Sequence, residues 1–108
     1  MEQLSILEKK GSGYTLLELT GSMNSYTLAE LQKKAYEYVK NNNLVLDLSQ
    51  VIEIDSAGVG VLFGIFNTAT DLDTKLYILR PSLAVMEALE ETGFLDSFNR
   101  IYSITEVN

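Results

Sequence analysis

Residues 44–48, which read L-V-L-D-L, form a short and almost uninterrupted apolar segment. A segment of this kind is typical of a β-strand covered on both faces, as in the centre of a parallel sheet. Helical patterns lie on either side of it, because apolar residues recur at spacings of three and four over residues 27–40 and again over residues 57–71. Strands that alternate with helices in this way predict an α/β fold with right-handed crossover connections.

The rest of the chain extends this alternation. Further elements are expected as hairpin strands at 4–7 and 14–19, a strand at 76–79, a helix at 82–92, a strand at 101–102 and a final helical turn from residue 103. Gly21 is expected to end the second hairpin strand. The sequence therefore predicts a single domain over residues 1–108, with a mixed, mostly parallel β-sheet, an N-terminal hairpin and helices packed on it. The expected order is β-β-α-β-α-β-α-β, with the final helical turn after it.

Three of the predicted helices begin at residues that favour helix capping. Thr27 with Glu30 has the spacing of a capping box, and Ser25 is an alternative cap for the same helix. Ser56 and Ser82 are each predicted to cap the helix that follows them. On the last of these helices, the side chains expected to face the core are Leu83, Met86 and Leu89.

The composition excludes several kinds of chemistry. With no cysteine and no histidine among its 108 residues, the chain can have no thiol chemistry and no Ser-His-Asp triad, and it lacks the commonest metal ligands. Its net charge of −7 argues against binding to a nucleic-acid backbone, which needs clustered Lys and Arg. No apolar segment reaches the ~20 residues that span a bilayer, and the start of the chain lacks the pattern of a signal peptide. We therefore expect a cytoplasmic protein without a membrane segment.

The segment 55–60, D-S-A-G-V-G, separates the apolar strand from the helix that follows it. The glycines at 58, 60 and 64 form G-x-G-x-x-x-G, one residue too long for a dinucleotide fingerprint, and Gly60 and Gly64 are instead expected to let the helix approach its neighbour. A nucleophile elbow needs glycine where Ile54 stands, and a receiver-type phosphoacceptor needs an acidic cluster that the first strand lacks. The remaining interpretation is a helix start at which the Ser56 hydroxyl caps the helix. Because a helix N-terminus stabilises anions, the same hydroxyl is suited to carry a phosphate.

Two features concern the surface around this segment. Loops 21–24 and 54–58 both follow strands, and the carboxyl ends of parallel strands share one edge of a sheet. Val59 and Phe63 lie off the core-facing side of the helix. They either form a docking patch beside Ser56 or pack against a neighbouring helix.

Residues 55–62, D-S-A-G-V-G-V-L, resemble the D-S-[SAT]-G-[LIV]-[GA]-x-[LI] signature of bacterial anti-sigma factor antagonists, which are STAS domains. The opening hairpin, the T-x-x-E-L helix start, the V-L-D-L-S strand and the E-x-x-G-F-L stretch at 90–95 are supporting similarities. Together these similarities cover nearly the whole chain.

The resemblance implies a regulator of transcription rather than an enzyme. An unphosphorylated antagonist binds an anti-sigma factor with serine kinase activity, and this releases the sigma factor. The kinase phosphorylates the motif serine, here Ser56, and a PP2C-type phosphatase removes the phosphate. No catalytic residue, cofactor or metal is implied. The implied partner-binding and switch surface consists of Asn24, Asp55, Ser56, Ala57, Gly58, Val59 and Phe63.

One departure from the family pattern lies in the turn after the second strand. The family's turn usually ends in aspartate, whereas this one reads G-S-M-N and ends in Asn24. Asparagine keeps the hydrogen bonding and the turn geometry but loses a charge and cannot act as a base. Two alternatives to the switch stay open: a small-ligand or nucleotide-responsive sensor that holds an anion at the same loop, and a scaffold in a larger regulatory complex.

Overall fold

The computed structural model describes residues 3–107, and the outer ends of the expected domain (residues 1, 2 and 108) lie outside that part. Strands and helices follow the predicted order. They are β1 Leu4–Lys10, β2 Tyr14–Met23, α1 Ala29–Val39, β3 Asn43–Ile54, α2 Ser56–Asp71, β4 Leu76–Leu79, α3 Leu83–Thr92 and β5 Asn99–Ile101. Short 3-10 helices occupy Leu95–Ser97 and Ile104–Glu106, and the second of these is the predicted final turn.

The strands form one mixed sheet in the order β1-β2-β3-β4-β5. β1 and β2 pair antiparallel, from Leu4 opposite Gly21 to Lys10 opposite Thr15, and the later pairs are parallel. The α/β fold with a mostly parallel sheet and an N-terminal hairpin is therefore confirmed. Each helical crossover returns the chain to the neighbouring position in the sheet, so the carboxyl ends of β2, β3 and β4 lie along one edge.

The two faces of the sheet are covered differently. Side chains alternate between the faces along a strand, so β3 sends Leu44, Leu46 and Leu48 to one face and Val45 to the other. All three helices pack on the first face, and their buried residues there are Leu31, Ala35, Val39, Val61, Leu62, Ile65, Ala69, Val85 and Leu89. The second face carries a smaller cluster of Val45, Tyr77, Leu79 and Ile101, against which Ile104 and Val107 pack. The predicted burial of this strand on both faces is confirmed.

Three strands run past their predicted ends, and β1 does so as far as Lys10. β2 does not end at Gly21 but continues to Met23, and its register with β3 is irregular both before and after the glycine. Gly21 has φ +119°, and a Cβ at this position would collide with the backbone oxygen of Gln3. The glycine therefore permits a close approach of β1 instead of breaking the strand. β3 continues to Ile54 because its second half, which is less buried than the first, pairs with the end of β2.

The start of α1 also differs from the prediction. The helix begins at Ala29, and neither Thr27 nor Ser25 caps it. The Thr27 hydroxyl instead donates to the carbonyl oxygen of Ser22 at 2.7 Å and accepts the N–H of Asn24 at 3.0 Å. The capping-box prediction is wrong because the preceding loop uses this hydroxyl to close on itself.

The cap of α3 is confirmed, but its predicted core face is partly wrong. Ser82 Oγ accepts the N–H of Val85 at 3.3 Å, and Gly93 ends the helix in the left-handed region at φ +79°. Val85 and Leu89, four residues apart, form the buried stripe. Leu83 is 74% exposed, because a residue two positions before Val85 points to the opposite side of a helix.

A buried carboxylate stabilises the centre of the sheet next to the β4–α3 turn. Asp47 Oδ1 accepts the N–H of Ser49 at 3.0 Å, and its Oδ2 accepts from Arg80 Nη2 at 3.0 Å. Burial by itself raises the pKa of the Asp47 carboxyl. The hydrogen bonds from Ser49 and the guanidinium of Arg80 outweigh that effect and hold the pKa below its usual value.

Replacing this carboxylate is expected to destabilise the fold in a pH-dependent way. The folded-state pKa of Asp47 lies below the unfolded one, so its charge stabilises the fold above the unfolded pKa, and this contribution is lost as the pH falls through the folded value. Asp47→Asn should lower the free energy of unfolding by about 2 kcal/mol at neutral pH, as measured by urea denaturation. The difference in free energy of unfolding between this variant and the wild type should shrink as the pH falls toward about 3.

The exposed carboxylate of Asp71 provides the control. Asp71→Asn should leave the free energy of unfolding within about 0.5 kcal/mol of the wild type. A deficit for Asp47→Asn that is the same at neutral and acidic pH would contradict the electrostatic origin of the effect.

Candidate functional site

Two loops at the carboxyl edge of the sheet meet at a direct backbone contact. The N–H of Asp55 donates to the carbonyl oxygen of Met23 at 3.0 Å, which joins the end of β3 to the end of β2. A Cβ added to Gly58 would lie 2.8 Å from the same carbonyl oxygen and 2.6 Å from the Ile54 side chain. Only glycine allows α2 to start this close to the loop. The structure thus brings together the two loops that the sequence predicted at this edge.

The first turn of α2 separates the roles of its two polar residues. Asp55 is the N-cap, and its Oδ1 accepts the N–H of Gly58 at 3.0 Å. Ser56 is the first residue inside the helix, so the prediction that it caps α2 is wrong. Aspartate caps as well as serine does, and its charge also interacts favourably with the helix dipole. Within residues 3–107, the exposed Ser56 hydroxyl makes no hydrogen bond.

Asn24 is part of a tight turn beside this helix start. Its Oδ1 accepts the N–H of Tyr26 at 2.8 Å, and its carbonyl oxygen accepts the N–H of Thr27 at 2.9 Å. A side-chain oxygen that binds the backbone two residues on is the Asx turn for which asparagine and aspartate are both suited. The half-buried Asn24 side chain therefore shapes the loop through its amide oxygen, without needing a charge.

Two depressions flank the start of α2, and Ile54 and Asp55 form the wall between them. The loop pocket, about 340 Å³, is lined by Met23, Asn24, Ser25, Tyr26, Glu53, Ile54 and Asp55. The helix groove, about 280 Å³, is lined by Ile54, Asp55, Ser56, Val59, Ala88, Glu91 and Thr92. Ser56 lies in the helix groove, between α2 and α3.

The other predicted surface residues differ in their surroundings. Val59 is half-buried and lines the helix groove with Ser56. Phe63 packs at ring-centroid distances of 6.0 Å from Phe94 and 5.1 Å from Phe98, which is the neighbour packing considered as an alternative to a docking patch. Ala57 is half-buried against the helical core. Whether these side chains contact a partner stays a prediction.

The two later glycines of α2 also differ. A Cβ at Gly64 would collide with the hydroxyl of Tyr36, so this glycine does let α1 and α2 approach each other. A Cβ at Gly60 would meet nothing within 4 Å. The predicted close approach is confirmed for Gly64 and wrong for Gly60.

Sequence reasoning missed Tyr26 and Glu53 as parts of the site. Both line the loop pocket. Tyr26 lies outside any strand or helix period, in a polar S-Y-T stretch, and an aromatic residue in such a place is the signal that could have identified it. Glu53 was missed because the predicted strand ended before it.

The part of the chain from residue 3 to residue 107 contains no helix with the length and apolar character needed to cross a membrane. Nor do three or more acidic side chains come together within these residues in the way a metal site requires.

Comparisons with known proteins agree with this geometry. The sequence profile of the STAS domain family matches residues 5–106. An anti-sigma factor antagonist from Mycobacterium paratuberculosis has a similar structure, with a TM-score of 0.81, 18% sequence identity, and coverage of 95% of this chain and 89% of that one. The anti-sigma factor antagonist SpoIIAA in its unphosphorylated form has a TM-score of 0.78 at 14% identity, with 94% of this chain and 91% of that chain covered. The Bacillus cell fate determinant SpoIIAA in its phosphorylated form has a TM-score of 0.75 at 14% identity, with 94% of both chains covered.

The division of roles at the start of α2 predicts unequal effects of two alanine substitutions. Asp55→Ala removes the cap and should lower the free energy of unfolding by about 1 kcal/mol. Ser56→Ala removes an exposed hydroxyl without a hydrogen-bond partner and should change it by less than about 0.5 kcal/mol. Urea denaturation of the two variants alongside the wild type measures both values. A loss for Ser56→Ala as large as that for Asp55→Ala would show that the serine caps the helix after all.

Proposed function

The chain belongs to the STAS domain family, and on that premise we propose that it is an anti-sigma factor antagonist controlled by phosphorylation. Its unphosphorylated form binds an anti-sigma factor with serine kinase activity and so releases the sigma factor for transcription. Phosphorylation of Ser56 by that kinase ends the binding, and a PP2C-type phosphatase restores it. The chain is then a cytoplasmic substrate and binding module and not a catalyst.

The observation that carries this proposal is the state of the Ser56 hydroxyl. It is exposed, has no hydrogen-bond partner within residues 3–107, and is not needed to cap α2. A kinase can therefore reach it without first breaking a structural contact. Its place in the first turn of a 16-residue helix also suits a phosphate, because the free N–H groups of that turn favour an anion.

Phosphorylation of Ser56 would make this edge of the sheet much more negatively charged. The new group carries a charge near −2 and would lie beside the Asp55 carboxylate and across the helix groove from Glu91. Such a concentration of negative charge alters docking without any change of fold. The structural similarity to SpoIIAA in both its unphosphorylated and its phosphorylated form supports a fold that accommodates the modification.

The direct test is phosphorylation in vitro. The purified chain is incubated with ATP and each kinase-type anti-sigma factor encoded in the source genome, and phosphate is mapped by mass spectrometry. We expect a single phosphate on Ser56, lost in Ser56→Ala and retained in Ser25→Ala, which removes another exposed serine of the same edge. Failure of every such kinase to modify Ser56 would contradict the proposal.

A second prediction concerns the binding itself. Ser56→Asp should weaken the affinity for the cognate anti-sigma factor by at least about tenfold in calorimetry, because it adds a charge to the docking edge. The exposed Ser12, in the hairpin turn between β1 and β2, provides the control, and Ser12→Asp should bind like the wild type. Equal affinities for the wild type and Ser56→Asp would mean that phosphorylation does not act through charge at this position.

A further inference from the structure

The loop between β2 and α1 is held in one conformation by its own hydrogen bonds. The Thr27 hydroxyl donates to the Ser22 carbonyl oxygen at 2.7 Å and accepts the Asn24 N–H at 3.0 Å. The N–H groups of Tyr26 and Thr27 bind the side-chain and backbone oxygens of Asn24 at 2.8 and 2.9 Å. The hydrogen bond from the Asp55 N–H to the Met23 carbonyl oxygen also attaches the loop to the start of α2. The backbone that carries its outward side chain is therefore fixed.

That outward side chain is Tyr26, and it is 92% exposed, more than any other large apolar residue between positions 3 and 107. An aromatic ring presented to water by a rigid loop gains nothing for the fold. Tyrosine is enriched at the centres of protein interfaces, because it offers a large contact area at a small cost in conformational entropy. Tyr26 is one of the residues that line the loop pocket.

The charges around the ring are of one sign. The exposed carboxylates of Glu53 and Asp55 line the loop pocket with Tyr26, and no Lys or Arg within residues 3–107 forms an ion pair with either of them. Lys75 lies immediately before β4, at the opposite edge of the sheet, and Arg80, which follows β4 at this edge, is already paired with Asp47. A partner that complements this edge must therefore bring positive charge.

We propose that the loop pocket receives an arginine side chain of the partner protein, stacked on the Tyr26 ring and paired with Glu53 and Asp55. A planar guanidinium is suited to both contacts at once, since it stacks on aromatic faces and binds carboxylates in a bidentate way. Asn24 acts as a positioning residue, because its Asx turn presents the ring. The identity of the partner rests on the proposed function, whereas the chemistry of the pocket does not.

The position of Ser56 connects the loop pocket with the proposed phosphorylation switch. Ser56 lies in the helix groove, on the other side of Asp55 from the loop pocket. A phosphate there competes for the same guanidinium and draws it away from Tyr26. A negative charge added at Ser56 would in this way weaken the contact between the partner's arginine and Tyr26.

The first experiment measures affinity for the anti-sigma factor kinase. Tyr26→Ala should weaken binding by at least about tenfold, and Glu53→Gln by about threefold or more, although glutamine can still accept from the Ser22 hydroxyl. The matched controls are the exposed residues Tyr102 and Glu90, so Tyr102→Ala and Glu90→Gln should bind like the wild type. Circular dichroism should show unchanged folding for all four variants.

The second experiment needs no partner. Blocked arginine (N-acetyl-arginine amide) is titrated into the isotope-labelled chain, and chemical shifts are followed by NMR up to tens of millimolar. The shifts should concentrate at the Tyr26 ring and at the amides of Glu53 and Asp55, and they should vanish in Tyr26→Ala. Blocked citrulline, which has the same shape without the charge, should cause none.

The outcomes separate the two proposals. If the kinase binds the wild type and Tyr26→Ala equally well, the arginine contact is wrong while the antagonist function stands. If no kinase binds the chain but blocked arginine shifts Tyr26, the pocket chemistry stands and the proposed partner is wrong. If blocked arginine causes no chemical-shift change at Tyr26, or if blocked citrulline causes the same change as blocked arginine, the pocket is not a guanidinium site.

Discussion

The close contact between Gly58 and Met23 is the constraint on which the site depends. It sets the start of α2 against the end of β2, and the hydrogen bond from Asp55 to the Met23 carbonyl oxygen fixes the same two segments. Any side chain larger than glycine would push the helix away from the loop. The loop pocket and the helix groove exist because this contact holds their common wall in place.

The first turn of α2 shows how one residue can relieve its neighbour of a structural role. Asp55 satisfies the Gly58 N–H, so Ser56 can change its charge without uncapping the helix. A serine that both capped the helix and carried the phosphate would couple modification to helix stability. Because the two roles are separate, the proposed phosphorylation of Ser56 would leave the cap of α2 in place.

The hydrogen bonds of Asn24 show a structural role that the sequence alone does not. From the sequence, it is the position where the family's carboxylate is missing. In the structure, its amide oxygen closes an Asx turn and presents Tyr26, and the nearby carboxylates of Glu53 and Asp55 already make this edge acidic. The loss of one charge therefore does not leave the edge neutral, and the loop geometry is retained.

The sequence alone determines the order of the strands and helices, the mixed sheet and the edge at which the two loops meet, because these follow from local periodicity and from the handedness of crossovers. It also locates Ser56 and Asp55 through a short signature. Only the tertiary structure decides that β2 and β3 run past the predicted ends, that Asp55 and not Ser56 caps α2, and that Thr27 closes a loop. Aspartate, serine and threonine are all good caps, and the choice among them depends on where a strand ends. That end is set by pairing with a strand some thirty residues away, as between Ser22 and Glu53, which no local pattern contains.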